Sequence, residues 1–244
     1  MMGNEIVLQI QDLTKRYPNG RGIENINLNI YKGDIFGFLG PNGAGKTTAM
    51  KIITGLIHPD CGDVKIFGVS VTEEYEKAIS VVGSIIEIAE SYPYLTAYEN
   101  LRQIGRFSPK VDDHRIDEVL EITGMKKFKD EKPKKFSLGM KQRLGLAAAI
   151  LNYPKLVILD EPLNGLDVEG MIDIRNLIKH MSENEETAFF ISSHLIHDIE
   201  LMCNRIGVIY NGKMLNVETT ENILQNYATL ENYFVSEVER NGRI

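Results

Sequence analysis

Apolar and polar positions alternate over residues 5–12, with Ile6, Leu8 and Ile10 in phase, and alternate again at Ile26, Leu28 and Ile30. A period of two is the mark of a half-buried strand. The turn-forming run Pro18-Asn19-Gly20 stands between the two stretches, so they are expected to form antiparallel strands at the N-terminus. Ile35-Phe36-Gly37-Phe38-Leu39 is apolar throughout, the pattern of a strand buried on both faces. A glycine-rich segment follows, and then a helix is predicted over residues 45–56. Residues 61–69 read as strand and turn around Val64, Ile66 and Gly68.

The pattern changes over residues 91–151, where helical spacing dominates; Ile116, Val119, Leu120 and Ile122 give one apolar helix face. Strand character returns at residues 156–159, 188–192 and 206–210, with helices predicted between them at 170–182 and 195–203. Strand and helix alternate on both sides of the middle section, which predicts an α/β fold with a largely parallel sheet. The expected organisation is a core of residues 1–88 and 152–218, an inserted helical subdomain over 89–151, and a helical tail over 219–244.

Composition narrows the function. The 244 residues carry 43% hydrophobic and 25% charged side chains, ordinary for a globular domain. The formal net charge is −7, which disfavours nucleic acid as the main partner because phosphate-backbone contact needs a basic surface. The lysines at 126, 127, 129, 132, 134 and 135 read as a solvated face. Cys61 and Cys203 are the two cysteines; they provide neither a disulfide framework nor a metal cluster, and fit a reducing compartment. No leader-like segment opens the sequence. No stretch approaches the length of a spanning helix, so work at a membrane would require another chain.

Two stretches carry chemistry. Gly40-Pro41-Asn42-Gly43-Ala44-Gly45-Lys46-Thr47-Thr48 fits the pattern G-x-x-x-x-G-K-[ST] between a buried strand and a helix. Its glycines let successive backbone N–H groups point inward as an anion nest. The helix N-terminus adds partial positive charge at the same place. Lys46 is expected to reach the β- and γ-phosphates, and the Thr47 hydroxyl to ligate Mg²⁺. Further on, Leu156-Val157-Ile158-Leu159 ends in Asp160-Glu161. Adjacent acids at a strand tip repel one another, and a divalent cation offsets that repulsion. Asp160 is placed to hold Mg²⁺. Strand alternation would turn Glu161 to the opposite side, as the base for an attacking water.

Together these features resemble the nucleotide-binding subunit of an ABC transporter, over most of the chain from Ile6 to Met214. The resemblance implies a P-loop NTPase (RecA-like) core with ATP and Mg²⁺ as cofactors and ATP hydrolysis as the activity. It also assigns roles. Tyr17 matches the aromatic residue that stacks on adenine. Phe136-Ser137-Leu138-Gly139-Met140-Lys141-Gln142-Arg143, 23 residues before Asp160, is similar to the family signature Leu-Ser-Gly-Gly-Gln. It keeps Ser137 and Gly139, which in the family bind the γ-phosphate of ATP held by the other subunit. Asn164-Gly165-Leu166-Asp167 resembles the loop that links two sites across a dimer. His194, after Ile191-Ser192-Ser193, resembles the switch histidine beside the γ-phosphate.

One departure from the family pattern is informative. Glu87 stands where the family usually has Gln, eight residues before Leu95-Thr96, and adds a negative charge beside the Mg²⁺ site. With Ser-Leu-Gly-Met-Lys-Gln it resembles the subfamily that exports lantibiotic and bacitracin-type peptides and gives immunity. The resemblance therefore implies an ATP-dependent homodimer on the cytoplasmic face of the cell membrane, coupled to an integral-membrane permease. An exporter ATPase for another cargo (ion, lipid or polysaccharide) and a soluble ABC ATPase outside transport are the alternatives.

Overall fold

The computed structural model describes residues 5–87 and 90–241. In chain order, β1 (Ile6–Arg16) and β2 (Gly22–Tyr31) precede β3 (Ile35–Leu39), which leads into α1 (Lys46–Ile53). Next come β4 (Cys61–Ile66), β5 (Val69–Ser70), α2 (Tyr75–Ile79) and β6 (Val82–Ile85). The middle of the chain holds α3 (Ala97–Gly105), α4 (Asp113–Ile122) and α5 (Leu138–Ile150). The core resumes with β7 (Leu156–Asp160), α6 (Val168–Glu185), β8 (Ala188–Ser193) and α7 (Ile196–Met202). The chain then forms β9 (Arg205–Tyr210), β10 (Lys213–Thr219), α8 (Thr220–Asn226) and α9 (Leu230–Asn241). The expected domain boundary at 88/89 and the outer limits at 1 and 244 lie outside the described residues.

The strands make two sheets. One is antiparallel, in the order β2-β1-β4-β5; the other runs β10-β9-β3-β8-β7-β6. In the second, β9, β3, β8, β7 and β6 are mutually parallel, and only β10 pairs antiparallel. The expected N-terminal antiparallel strands and the parallel core are both present.

Alternation along the central strands sorts side chains into two cores. Phe36, Phe38, Leu156, Ile158 and Phe190 pack with the antiparallel sheet and with Ala49, Met50 and Ile53 of α1. Ile35, Leu39, Val157, Leu159, Phe189 and Ile191 face the other way, into a core shared with α3, α4, α5, α6 and α7. Each central strand is thus buried on both faces, which is why it reads as an uninterrupted apolar run.

The helical section begins where its sequence calls for a cap. Thr96 accepts the Glu99 N–H, and the Glu99 side chain accepts the Thr96 N–H, forming a capping box for α3. Of the lysine-rich stretch, Lys126 pairs with Glu121 and Lys129 with Asp117 at the surface. The tail is packed rather than free. Ile223, Leu230 and Tyr233 join the helical-side core, and the Leu230 N–H donates to the Glu200 side chain of α7 at 2.8 Å.

Helix α5 approaches edge strand β6 so closely that a Cβ on Gly83 would lie 1.9 Å from the Ala149 carbonyl oxygen. The obstacle is backbone, which cannot turn aside as a side chain can. Gly83→Ala is therefore expected to destabilise the fold by about 2–4 kcal/mol. A chemical denaturation midpoint equal to that of the parent chain would contradict this close approach.

Candidate functional site

The carboxyl ends of parallel strands converge on one cleft, the usual location for a ligand in an open α/β sheet. The segment after β3 supplies the glycine-rich loop, β7 ends in Asp160, and His194 follows β8. Alternation determines what points where. Asp160 has the phase of Leu156 and Ile158, and Ser192 has the phase of Ala188 and Phe190, the residues that face α1. Both polar side chains are therefore delivered to the helix that carries Thr47.

The loop is locally constrained. Gly45 has φ +109, and a Cβ there would lie 2.5 Å from Ile23 Cγ2, so a larger residue meets both an unfavourable backbone and a neighbour. Gly45 occupies the position before α1, whose first helical residues are Lys46, Thr47 and Thr48. The Lys46 side chain is buried, and its Nζ donates to the carbonyl oxygens of Gly40 at 2.7 Å and Pro41 at 3.3 Å. Burial holds its pKa below the usual lysine value, while the charges of Glu161 and Asp160 act in the opposite sense. The Ala44 carbonyl accepts the Gly212 N–H at 3.0 Å, which ties the loop to the turn after β9.

Thr47 Oγ1 donates to Asp160 Oδ2 at 2.9 Å. The other Asp160 oxygen, Oδ1, accepts the buried Ser192 hydroxyl. Among the described residues no three His, Cys, Asp or Glu side chains cluster as a metal cage. A hydroxyl beside one carboxylate nevertheless fits Mg²⁺, which takes oxygen ligands and is commonly held by one or two carboxylates together with substrate phosphates.

Glu161 lies differently from the expectation that it would continue the alternation of β7. The strand ends at Asp160, and Glu161 has φ +53, in the left-handed region. Its N–H donates to the Ser192 carbonyl oxygen and hydroxyl, each at 3.1 Å. The turn brings Glu161 Oε2 within 2.8 Å of His194 Nδ1 and 3.3 Å of the His194 backbone nitrogen. A carboxylate partner at Nδ1 favours the tautomer with its proton there and leaves Nε2 directed elsewhere.

The cleft has a volume of about 550 Å³. Tyr17, Asn42, Gly43, Gly45, Lys46, Thr47, Thr48, Glu87, Asp160 and Glu161 line it, with Asn19, Arg21, Gly22 and Asn164. Gly40 and Ala44 shape the loop through their carbonyl groups without lining the cavity. Tyr17 is partly exposed at the rim. Glu87 reaches the cleft wall while its Oε1 accepts Lys51 Nζ at 2.6 Å.

His194 does not line this cleft and meets it through its contact with Glu161, and Ser137, Gly139 and Asp167 do not line it either. Ser137 Oγ accepts the Met140 N–H at 3.2 Å and caps α5, and Asp167 Oδ1 accepts the Gly170 N–H at 2.9 Å and caps α6. The two helix starts lie against each other: a Cβ on Gly165 would be 2.3 Å from Leu138 Cδ2, and one on Gly139 would be 3.1 Å from Leu166 Cδ2. Leu138, where the family signature has Gly, is thus a packing residue that remains 61% exposed. Sequence reasoning overlooked Asn19, Arg21 and Gly22 on the lining, and Ser192 and Lys51, which hold the lining residues Asp160 and Glu87. For Ser192 the available signal was its strand phase, which matches that of Asp160.

The model of the family described as "ABC transporter" matches residues 23–164. An uncharacterized ABC transporter ATP-binding protein of Bacillus subtilis (strain 168), YhcH, is 44% identical over 222 residues, covering 90% of this chain and 73% of that protein. The bacitracin transport ATP-binding protein BcrA of Bacillus licheniformis is 43% identical over 209 residues, covering 86% and 68%. The lantibiotic transport ATP-binding protein SrtF of Streptococcus pyogenes is 40% identical over 209 residues, covering 86% and 89%. Among solved structures, the ATP-binding cassette MJ0796, in a dimeric post-hydrolysis state with ADP and Pi, superposes with a TM-score of 0.80. It is 26% identical, and the match covers 87% of this chain and 98% of that one.

Proposed function

The chain belongs to the ABC transporter family, whose ATP-binding subunits bind and hydrolyse ATP, and from that premise we propose that it powers export of antimicrobial peptides of the bacitracin and lantibiotic kind. The observation that carries the catalytic part is the convergence of Lys46, Thr47, Asp160 and Glu161, from two segments far apart in sequence, on one cleft. The cargo is supported by the similarity to BcrA and SrtF, together with Glu87 at the cleft wall.

In this reading Tyr17 stacks on the adenine at the rim, and residues 40–48 hold the phosphates. Thr47 and Asp160 hold Mg²⁺, with Glu87 close by. When bound, Mg²⁺ neutralises phosphate charge and fixes the reacting geometry. Glu161 orients the attacking water and accepts its proton. His194, fixed by Glu161 through Nδ1, turns Nε2 toward the γ-phosphate. Ser192 holds both acids in place, donating to the Asp160 side chain and accepting from the Glu161 backbone.

Ser137, Gly139 and Asp167 act in trans, on nucleotide held by a second copy of the chain. Two features support this assignment: these residues lie outside their own cleft, and Leu138 and Val168 beside them are 61% and 73% exposed. Head-to-tail pairing would cover those apolar side chains and complete each site. Hydrolysis removes the γ-phosphate link and lets the pair part. With a core of residues 1–88 and 152–218 and a helical subdomain of 89–151, the motion drives the membrane partner through the helical region around residues 87–101. In this reading an integral-membrane permease carries the peptide and this chain works on the cytoplasmic face; no described helix is long and apolar enough to cross a membrane. Nucleic acid has no part in this scheme.

Deleting the gene in its native host is expected to lower the inhibitory concentration of bacitracin or of a lantibiotic several-fold. Complementation with Glu161→Gln should fail to restore it. Unchanged sensitivity to both peptide classes would remove the cargo assignment and leave an exporter ATPase for another substrate.

A further inference from the structure

Glu87 lines the same cleft as Thr47, Asp160 and Glu161, so three carboxylates surround the place where a polyphosphate would sit. One of them is already neutralised. Lys51 Nζ lies 2.6 Å from Glu87 Oε1. Lys51 is four residues beyond Thr47 on α1, and side chains at that spacing share a helix face. Its ammonium group therefore stands one turn behind the hydroxyl on the metal side of the cleft. The base of this arm is fixed: the Lys51 carbonyl accepts the N–H groups of Leu56 at 2.8 Å and Ile57 at 3.3 Å, and the Thr54 hydroxyl at 3.3 Å.

We infer that Lys51 is a positioning residue that competes with the divalent cation for Glu87, and so sets how strongly nucleotide binding depends on the metal. The inference rests on the reading of Thr47 and Asp160 as the metal side of the cleft. Without metal, Lys51 neutralises Glu87 and makes the cleft less repulsive to phosphates. With metal, a cation of higher charge draws Glu87 away from Lys51. A glutamine at position 87 lacks the charge on which this exchange depends. The pair is partly exposed, with side-chain exposures of 30% and 60%, and such pairs add little to stability. Removing it therefore leaves the fold intact and isolates the effect on the site.

The test is ADP affinity measured by calorimetry on the full chain, once with excess Mg²⁺ and once with EDTA. The readout is the ratio of the two affinities and requires no turnover. Lys51→Met should weaken metal-free binding and raise the ratio by roughly threefold or more, while Lys51→Arg stays near the parent value. In a Glu87→Gln background, Lys51→Met should largely lose this effect. A Lys51→Met ratio equal to the parent's, or an equal change in both backgrounds, would overturn the inference. A parent chain that binds ADP equally well with and without Mg²⁺ would instead remove the metal reading of Thr47 and Asp160, and the inference with it.

Discussion

Glu161→Gln is expected to lower ATP turnover by roughly 10²–10⁴-fold, the range usual for loss of a general base, while nucleotide binding persists. The substitution is nearly isosteric. An amide oxygen can still accept the His194 Nδ1 proton, where Glu161 Oε2 now lies at 2.8 Å. The backbone N–H bonds to Ser192 do not involve the side chain at all. What disappears is the capacity to take a proton from water. Phosphate release and nucleotide affinity should therefore separate in one preparation. With hydrolysis blocked, ATP should also hold two copies together on a sizing column. Retained turnover would remove Glu161 from its role, and an ATP-loaded variant that remains monomeric would count against the composite site.

Lys46→Ala should act on the opposite branch, reducing nucleotide affinity by roughly 10²–10³-fold. A unit charge about 4 Å from a phosphate, at an effective dielectric of about 20, contributes about 4 kcal/mol; part of this offsets displacement of the lysine from its present partners. Those partners are carbonyl oxygens of its own loop, Gly40 and Pro41, so the exchange on binding replaces neutral acceptors with charged ones. Folding should change little, because the variant removes a buried charge along with two hydrogen bonds. Calorimetric titration with ADP or ATP is the measurement. An unchanged dissociation constant would mean that the loop binds phosphate without its lysine.

The parts of this molecule legible in the sequence are those whose chemistry is local. The loop of residues 40–48 announces itself because glycine, lysine and threonine must follow one another for the backbone to curl. Strands β3, β7 and β8 were readable because burial on both faces makes them apolar runs. By contrast, β6 is four residues long with Gly83 inside it, and β10 is only partly buried, so neither gives a clear alternation. Helix α2 has five residues, too few for a helical period to emerge. Within the site, Ser192 meets Asp160 across 32 residues of sequence, and Lys51 meets Glu87 across 36. Such pairings depend on sheet register and on where α1 lies, neither of which local pattern encodes. The direction of Glu161 was misread for a related reason: alternation holds only while a strand continues, and this one stops a residue earlier.

That stop has a consequence for how the chain tolerates change. Glu161 holds a left-handed backbone, at φ +53, which glycine and asparagine adopt more readily than glutamate. Judged by folding alone, position 161 is a place where replacement by glycine or asparagine would relax the backbone rather than strain it. Stability and catalysis therefore pull this residue in opposite directions. A library sorted only for thermal stability would drift toward inactive cassettes that still bind nucleotide, and activity has to be screened alongside stability if the acid is to be kept.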